Sequence, residues 1–290
     1  MFVRCCRNFV ATATVCAALL STVAGAHAGI FHPSHAIAYT VDRTGIYEAD
    51  LYRPHEDAPA GGYPVVVLVH GGAWRSGSRT EMKKLALELT QHGYAALTID
   101  YDKKKLSFPW SWMELRAAVR FLRLRAMFYH LDPNRIAVLG SSAGGELAAL
   151  AALEPNGPAI LPEGQMERDA VPVQAAVVLN GLYDAHTEHF LLRRYLGGHC
   201  AAVQEVCDDA SPQSHITPNA VPIFVGHGDH DHMIPDVQAK KFMAAMQADG
   251  NNVTYYVARG GGHNYWKHSR YAQENLQAVL AFLDTNLKKK

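Results

Sequence analysis

Short β-branched apolar runs alternate along this chain with longer stretches whose apolar residues recur at helical spacing. That alternation marks an α/β fold with a mostly parallel central sheet flanked by helices. Residues 65–70 are apolar up to the final histidine, which predicts a strand covered on both faces. Met82, Leu85, Ala86 and Leu89 fall at i, i+3, i+4 and i+7 and predict a helix that Gly93 ends. Residues 94–100 read as the next strand. Leu115, Ala118, Val119 and Leu122 form a second helical stripe, with Arg116, Arg120 and Arg123 expected on its solvated side. Residues 135–140 predict a strand and 143–153 a helix, and strands follow at 173–180, 222–226 and 253–258. Ala239, Phe242, Met243 and Met246 mark the helix between the last two strands, and Leu276, Val279, Leu280, Leu283 and Leu287 mark the final one. Residues 36–42 and 46–53, around Thr44-Gly45, read as a leading antiparallel pair. Two segments break the rhythm, 154–171 and 182–220. The second follows the sixth strand and is expected to be a cap or lid over a pocket.

The first 28 residues follow a different logic. Arg4 and Arg7 precede an Ala-rich apolar run at 10–20, and Ala26-His27-Ala28 fits the small-x-small cleavage signature. The run is shorter than the roughly 20 residues a membrane span needs. A cleaved signal peptide at 1–28 is therefore expected, followed by one domain at 29–290, with export to the periplasm or beyond and no stable membrane anchor. Removing that leader leaves 25 basic against 27 acidic residues in place of an even 27 and 27. Neither balance offers a basic stripe for nucleic acid or a polybasic face for anionic lipid. With 49% hydrophobic and 19% charged residues the chain has a core to bury, which excludes disorder. Three of the five cysteines (Cys5, Cys6, Cys16) lie in the leader. Cys200 and Cys207 remain, either as one disulfide closing a short loop or as two free thiols.

The most specific chemical signal is Gly140-Ser141-Ser142-Ala143-Gly144, a G-x-S-x-G between a predicted strand and a predicted helix. The motif demands that context, because its serine stands on a sharp strand-to-helix turn where flanking side chains would clash. Ser142 is the candidate nucleophile and Ser141 a structural neighbour. The second signal is His70-Gly71-Gly72-Ala73-Trp74 at the end of an earlier strand, where small residues let backbone N–H groups approach a developing oxyanion. Trp74 is expected to pack that loop. Two more motifs follow strands: His227-Gly228-Asp229-His230-Asp231-His232-Met233-Ile234-Pro235 and Gly260-Gly261-Gly262-His263-Asn264-Tyr265. Ser142, Asp231 and His263 thus stand in the chain order serine, acid, histidine, each beyond the carboxyl end of a strand. Asp229 and Asp184 compete with Asp231 as the acid. Histidines and carboxylates crowd the 227–232 loop, but adjacent loop residues rarely converge on one ion, so no metal and no cofactor are expected.

On these motifs the sequence resembles the α/β-hydrolase fold, and within it carboxylesterases with an HGG-x-W oxyanion loop. It is similar to bacterial feruloyl/acetyl-xylan esterase-like enzymes and to kynurenine formamidase-like amidases. The resemblance runs from about residue 47 to 283 and includes HGGAW, LDPNRIAVLGSSAGG, the HG-x-x-D-x-x-I-P segment and GGGHNY. It implies Ser142 as nucleophile, Asp231 as acid, His263 as base, and the N–H groups of Gly72, Ala73 and Ala143 as oxyanion donors. It implies hydrolysis of a small-molecule carboxylic ester through an acyl-enzyme, with amide or peptide hydrolysis and a non-catalytic binding role as alternatives. In many relatives Asp-Tyr-Arg-Leu stands where this chain has Asp100-Tyr101-Asp102-Lys103, a charge reversal that changes the ion pairing beside the site.

Overall fold

The computed structural model describes residues 34–42, 45–103, 108–159, 169–187 and 190–288. The expected leader at 1–28, Lys104 and Lys105 lie outside the described residues. The strands are β1 (Ser34–Asp42), β2 (Gly45–Tyr52), β3 (Tyr63–Val69), β4 (Ala95–Ile99), β5 (Leu131–Ser141), β6 (Ala175–Leu179), β7 (Ile223–Gly228) and β8 (Val253–Ala258). They form one sheet in the order β1-β2-β4-β3-β5-β6-β7-β8. β2 pairs antiparallel with β1 and β4, and every pairing from β4 across to β8 is parallel. The helices are α1 (Lys83–Gln91), α2 (Trp110–Tyr129), α3 (Ala143–Leu153), α4 (Leu192–Leu196), α5 (Gln204–Asp209), α6 (Val237–Ala248) and α7 (Ser269–Leu287).

Alternation within β3 divides the core. Val65, Val67 and Val69 point to a cluster with Leu115 and Val119 of α2, Leu147 of α3 and Phe242 of α6. Val66 and Leu68 point the other way, to Met82, to Leu89 of α1 and to Leu283 of α7. Both faces of the central strands are therefore covered, which is why they lack a polar alternation. Each such buried aliphatic side chain contributes about 1.5–3 kcal/mol relative to exposure.

α3 has no polar face, and all eleven of its residues are buried. Its first turn approaches the sheet so closely that only glycine fits. A Cβ at Gly140 would lie 1.8 Å from the Gly144 carbonyl oxygen, and one at Gly144 2.3 Å from that of Val69. Gly140→Ala is expected to abolish the cooperative thermal unfolding transition. Gly93→Ala is the control, because that residue has φ +78° but nothing within 4 Å of an added Cβ. It should cost only about 1–2 kcal/mol, the strain of a left-handed non-glycine residue.

One sequence expectation fails on α2. Arg116 is buried rather than solvated, and its guanidinium donates to the Asp169 carbonyl at 2.7 Å and to that of Pro155. Arg123 donates to the Pro133 and Pro172 carbonyls. The chain after α3 folds back over this flank, and long cationic side chains satisfy its carbonyls while their stems pack. Between β6 and β7 the insertion carries α4, α5 and a disulfide, Cys200–Cys207, with Cα atoms 5.6 Å apart. Thiol titration of unreduced, denatured protein produced without residues 1–28 should find no sulfhydryl, and two per chain would contradict the bond. A loop this short should contribute no more than the roughly 3 kcal/mol expected for 15 residues. Among the described residues, no helix is long and apolar enough to cross a membrane.

Candidate active site

Parallel register brings five strand ends, and the loops that follow them, to one edge of the sheet. Val69 pairs with Gly140, Ser141 with Leu179, Leu179 with Gly226 and Gly228 with Ala258, so β3, β5, β6, β7 and β8 end side by side. Ser142 occupies the sharp turn between β5 and α3 with φ 57° and ψ −121°. A non-glycine residue holds such a conformation only where its surroundings fix it. Here its N–H donates to the Leu179 carbonyl at 2.9 Å, while its own carbonyl accepts from Gly145 at 2.8 Å and Glu146 at 3.1 Å. Ser141 faces away, buried, and its hydroxyl accepts the Trp266 indole N–H at 3.0 Å.

The turn presents Ser142 Oγ 2.8 Å from His263 Nε2, and His263 Nδ1 lies 2.8 Å from Asp231 Oδ2. The carboxylate fixes the tautomer: Nδ1–H donates to it, which leaves Nε2 to accept the serine proton. Asp231 Oδ1 accepts the amides of Met233 at 2.8 Å and Ile234 at 2.9 Å, and Oδ2 also accepts the Asn180 amide at 2.6 Å. Burial alone would raise this carboxyl, but hydrogen bonds from His227, His263 and the Ile234 amide outweigh it and hold the acid well below the usual range. His227 Nε2 sits 2.9 Å from the Ile234 carbonyl and 3.4 Å from Asp231 Oδ2.

Of the three competing carboxylates, Asp231 is the one that contacts His263. Asp229 Oδ1 accepts the Gly260 amide at 2.5 Å, and Asp184 Oδ1 accepts the His186 amide at 2.9 Å. Asp184 caps its own loop, and Asp229 ties the loop after β7 to the loop after β8. Asn180 is a site residue that the sequence reading missed. It directly follows β6 with φ 49°, and the signal for it was an Asn-Gly step after a strand, ordinarily read only as a turn.

Gly72 and Ala73 lie in the loop after β3, with Ala143 at the first position of α3, where an N–H has no intrahelical acceptor. The loop presses on the turn: a Cβ at Gly71 would lie 3.2 Å from Ser142 Cβ. Gly72, Ala73 and Trp74 all have positive φ, at 119°, 54° and 53°. Behind them His70 is fully buried, stacked on Tyr101 at 4.4 Å, and burial pushes its imidazole down toward the neutral form. Arg79 clamps the end of this segment to the sheet, pairing with Asp100 at 2.5 Å, Glu48 at 3.0 Å and Asp50 at 3.1 Å. Lys103 Nζ adds a hydrogen bond to the Gly77 carbonyl at 2.7 Å. The cations that meet Asp100 are therefore Arg79 and Lys103, while Asp102 is buried and its amide donates to Glu114 at 2.5 Å.

A parallel sheet with such a turn at β5 defines the α/β-hydrolase class. The chain belongs to the BD-FAE family of that class, which it matches over residues 49–246. It is 32% identical to Esterase LipQ of Mycobacterium tuberculosis over 81% of this chain and 58% of the relative. It is 35% identical to Esterase LipC of the same organism over 74% of this chain and 56% of the relative. The chain thus spans less than two thirds of the length of these curated relatives. An esterase structure from Thermogutta terrifontis superposes with a TM-score of 0.75 at 23% identity, covering 88% of this chain and 94% of the other. A truncated carbohydrate esterase from gut microbiota gives 0.76 at 20% identity, over 89% and 97%. These two show the shared fold.

Proposed function

We propose that the protein is a carboxylesterase that works through an acyl-enzyme on Ser142, and the observation that carries this is the chain of 2.8 Å contacts from Ser142 through His263 to Asp231. His263 Nε2 takes the serine proton as Oγ attacks the ester carbonyl. The N–H groups of Gly72, Ala73 and Ala143 receive the negative charge that develops on the carbonyl oxygen. Asp231 orients the imidazole and stabilises it as imidazolium while the tetrahedral intermediate lasts. The same proton then passes to the leaving alcohol. In the second half His263 activates water, which attacks the acyl-enzyme and releases the acid and Ser142. No step calls on a cofactor. Likeness to proteins named as esterases supports an ester substrate over an amide.

The reading is tested on acetyl, butyryl, octanoyl and feruloyl esters beside an aryl formamide and a dipeptide anilide. The expected result is turnover of one or more esters with kcat/KM above that of both amides. A preference for the formamide or the anilide would replace the ester reading with an amidase, and no turnover of any of them would leave a binding role. We propose in addition that the chain is exported, with residues 1–28 removed. The sequence pattern of the leader and a disulfide in the domain support this, since such bonds persist in oxidising compartments.

A further inference from the structure

The helix that carries the nucleophile also carries a buried carboxyl. Glu146 lies one turn beyond Ser142 on α3 and has no exposed surface. Its Oε2 accepts the Trp74 indole N–H at 3.1 Å, and the Tyr195 hydroxyl lies 3.3 Å from Oε1 and 3.4 Å from Oε2. Trp74 ends the HGGAW segment, and Tyr195 belongs to α4 in the insertion. Their rings stack at 4.3 Å and 9°. One side chain on the nucleophile helix thus contacts both the candidate oxyanion loop and the insertion above it.

That contact meets a specific need. Ala73 and Trp74 are consecutive non-glycine residues in the left-handed region, which L side chains adopt only with backbone strain. Strain of this kind persists only where the surroundings over-determine it. The Trp74 backbone is fixed through its side chain, and Glu146 and Tyr195 hold that side chain. Burial pushes the Glu146 carboxyl well above the usual range, against the hydrogen bonds from Trp74 and Tyr195, which pull it down.

We propose that Glu146 is a positioning residue for the oxyanion loop: from inside the nucleophile helix it holds the Trp74 indole, and so sets the Gly72 and Ala73 amides relative to Ser142. The proposal rests on the serine-esterase reading above. A glutamine at 146 keeps an oxygen for the Trp74 indole and turns an amide N–H₂ to the Tyr195 hydroxyl, which can accept as well as donate. An alanine takes the Glu146 acceptor away from the buried indole and leaves the strained loop free to relax.

The test measures kcat and KM for an aryl acetate, with thermal melting, for the full chain and for E146Q, E146A, W74F and E146A/W74F. Loss of a single oxyanion donor costs about 10²–10³ in kcat. E146A should fall toward the lower end of that range, about 10²-fold, with KM within about threefold, because the ground-state ester does not yet carry the charge that the loop receives. E146Q should restore kcat to within about threefold of the parent. W74F should resemble E146A, and the double variant should be no worse than the poorer single one, as expected for two members of one contact. A folded E146A that keeps kcat within about twofold overturns the proposal, as does an E146Q that falls as far as E146A. If E146A fails to fold, W74F decides: a loss near 10²-fold supports the proposal and parental kcat overturns it. Absence of ester turnover in the parent chain would overturn the esterase reading and this proposal together, whereas an active parent with indifferent variants overturns this one alone.

Discussion

Ester turnover by the Ser142→Ala variant should fall to the residual level that binding and oxyanion donors alone provide, about 10³–10⁴-fold above the reaction in water. The variant should melt close to the parent. Alanine keeps the Cβ that already sits at φ 57°, and the backbone bonds that hold the turn, from Leu179, Gly145 and Glu146, do not involve the hydroxyl. Only the hydrogen bond to His263 is lost. The neighbouring Ser141→Ala removes an acceptor for the Trp266 indole on the far side of the turn and should retain most of the activity. Steady-state hydrolysis of an aryl ester by the two variants checks this. Turnover that survives Ser142→Ala and disappears in Ser141→Ala would assign the elbow to the wrong serine.

Asp231→Asn should lower kcat by about 10⁴-fold, the size of effect seen where a buried acid fixes a catalytic imidazole tautomer. The local geometry explains why an amide is a poor substitute. The carboxylate is surrounded by donors: Met233 and Ile234 amides on Oδ1, and Asn180, His263 and His227 on Oδ2. An N–H₂ at either position faces a donor, and if it faces His263 it can only do so by taking the ring to the wrong tautomer. Asp229→Asn and Asp184→Asn should each stay within about threefold of the parent, about 0.6 kcal/mol, because those carboxylates accept the backbone amides of Gly260 and His186 rather than the His263 ring. Retention of more than about a tenth of parental kcat by Asp231→Asn, a loss of only ~1.4 kcal/mol, would contradict the assignment.

Strand and helix order was legible in the sequence because each face of the sheet is covered by a separate set of helices. The continuous apolar run of β3 and the stripe of α7 follow directly from that arrangement. Ser142, Asp231 and His263 were legible because each stands in a motif with backbone demands of its own. Asn180 and Glu146 were not. A polar residue at a strand end, or within a helix otherwise apolar all round, carries no periodic signal. What each one touches comes from loops 51 and 72 residues away in the chain. Arg116 shows the same limit from the other side. The period of α2 places it on the flank, but the segment that covers that flank lies beyond α3, and no single-helix pattern contains it.

The covalent step can be observed without choosing the natural substrate. Incubation of the full chain with a fluorophosphonate, followed by intact-mass measurement and peptide mapping, reads where the activated nucleophile is. One adduct per chain is expected, on the peptide containing Ser142, with none on the Ser142→Ala variant and a much slower reaction in Asp231→Asn. An adduct on Ser141, labelling that persists in Ser142→Ala, or a parent chain that takes up no label would contradict an acyl-enzyme mechanism at this serine.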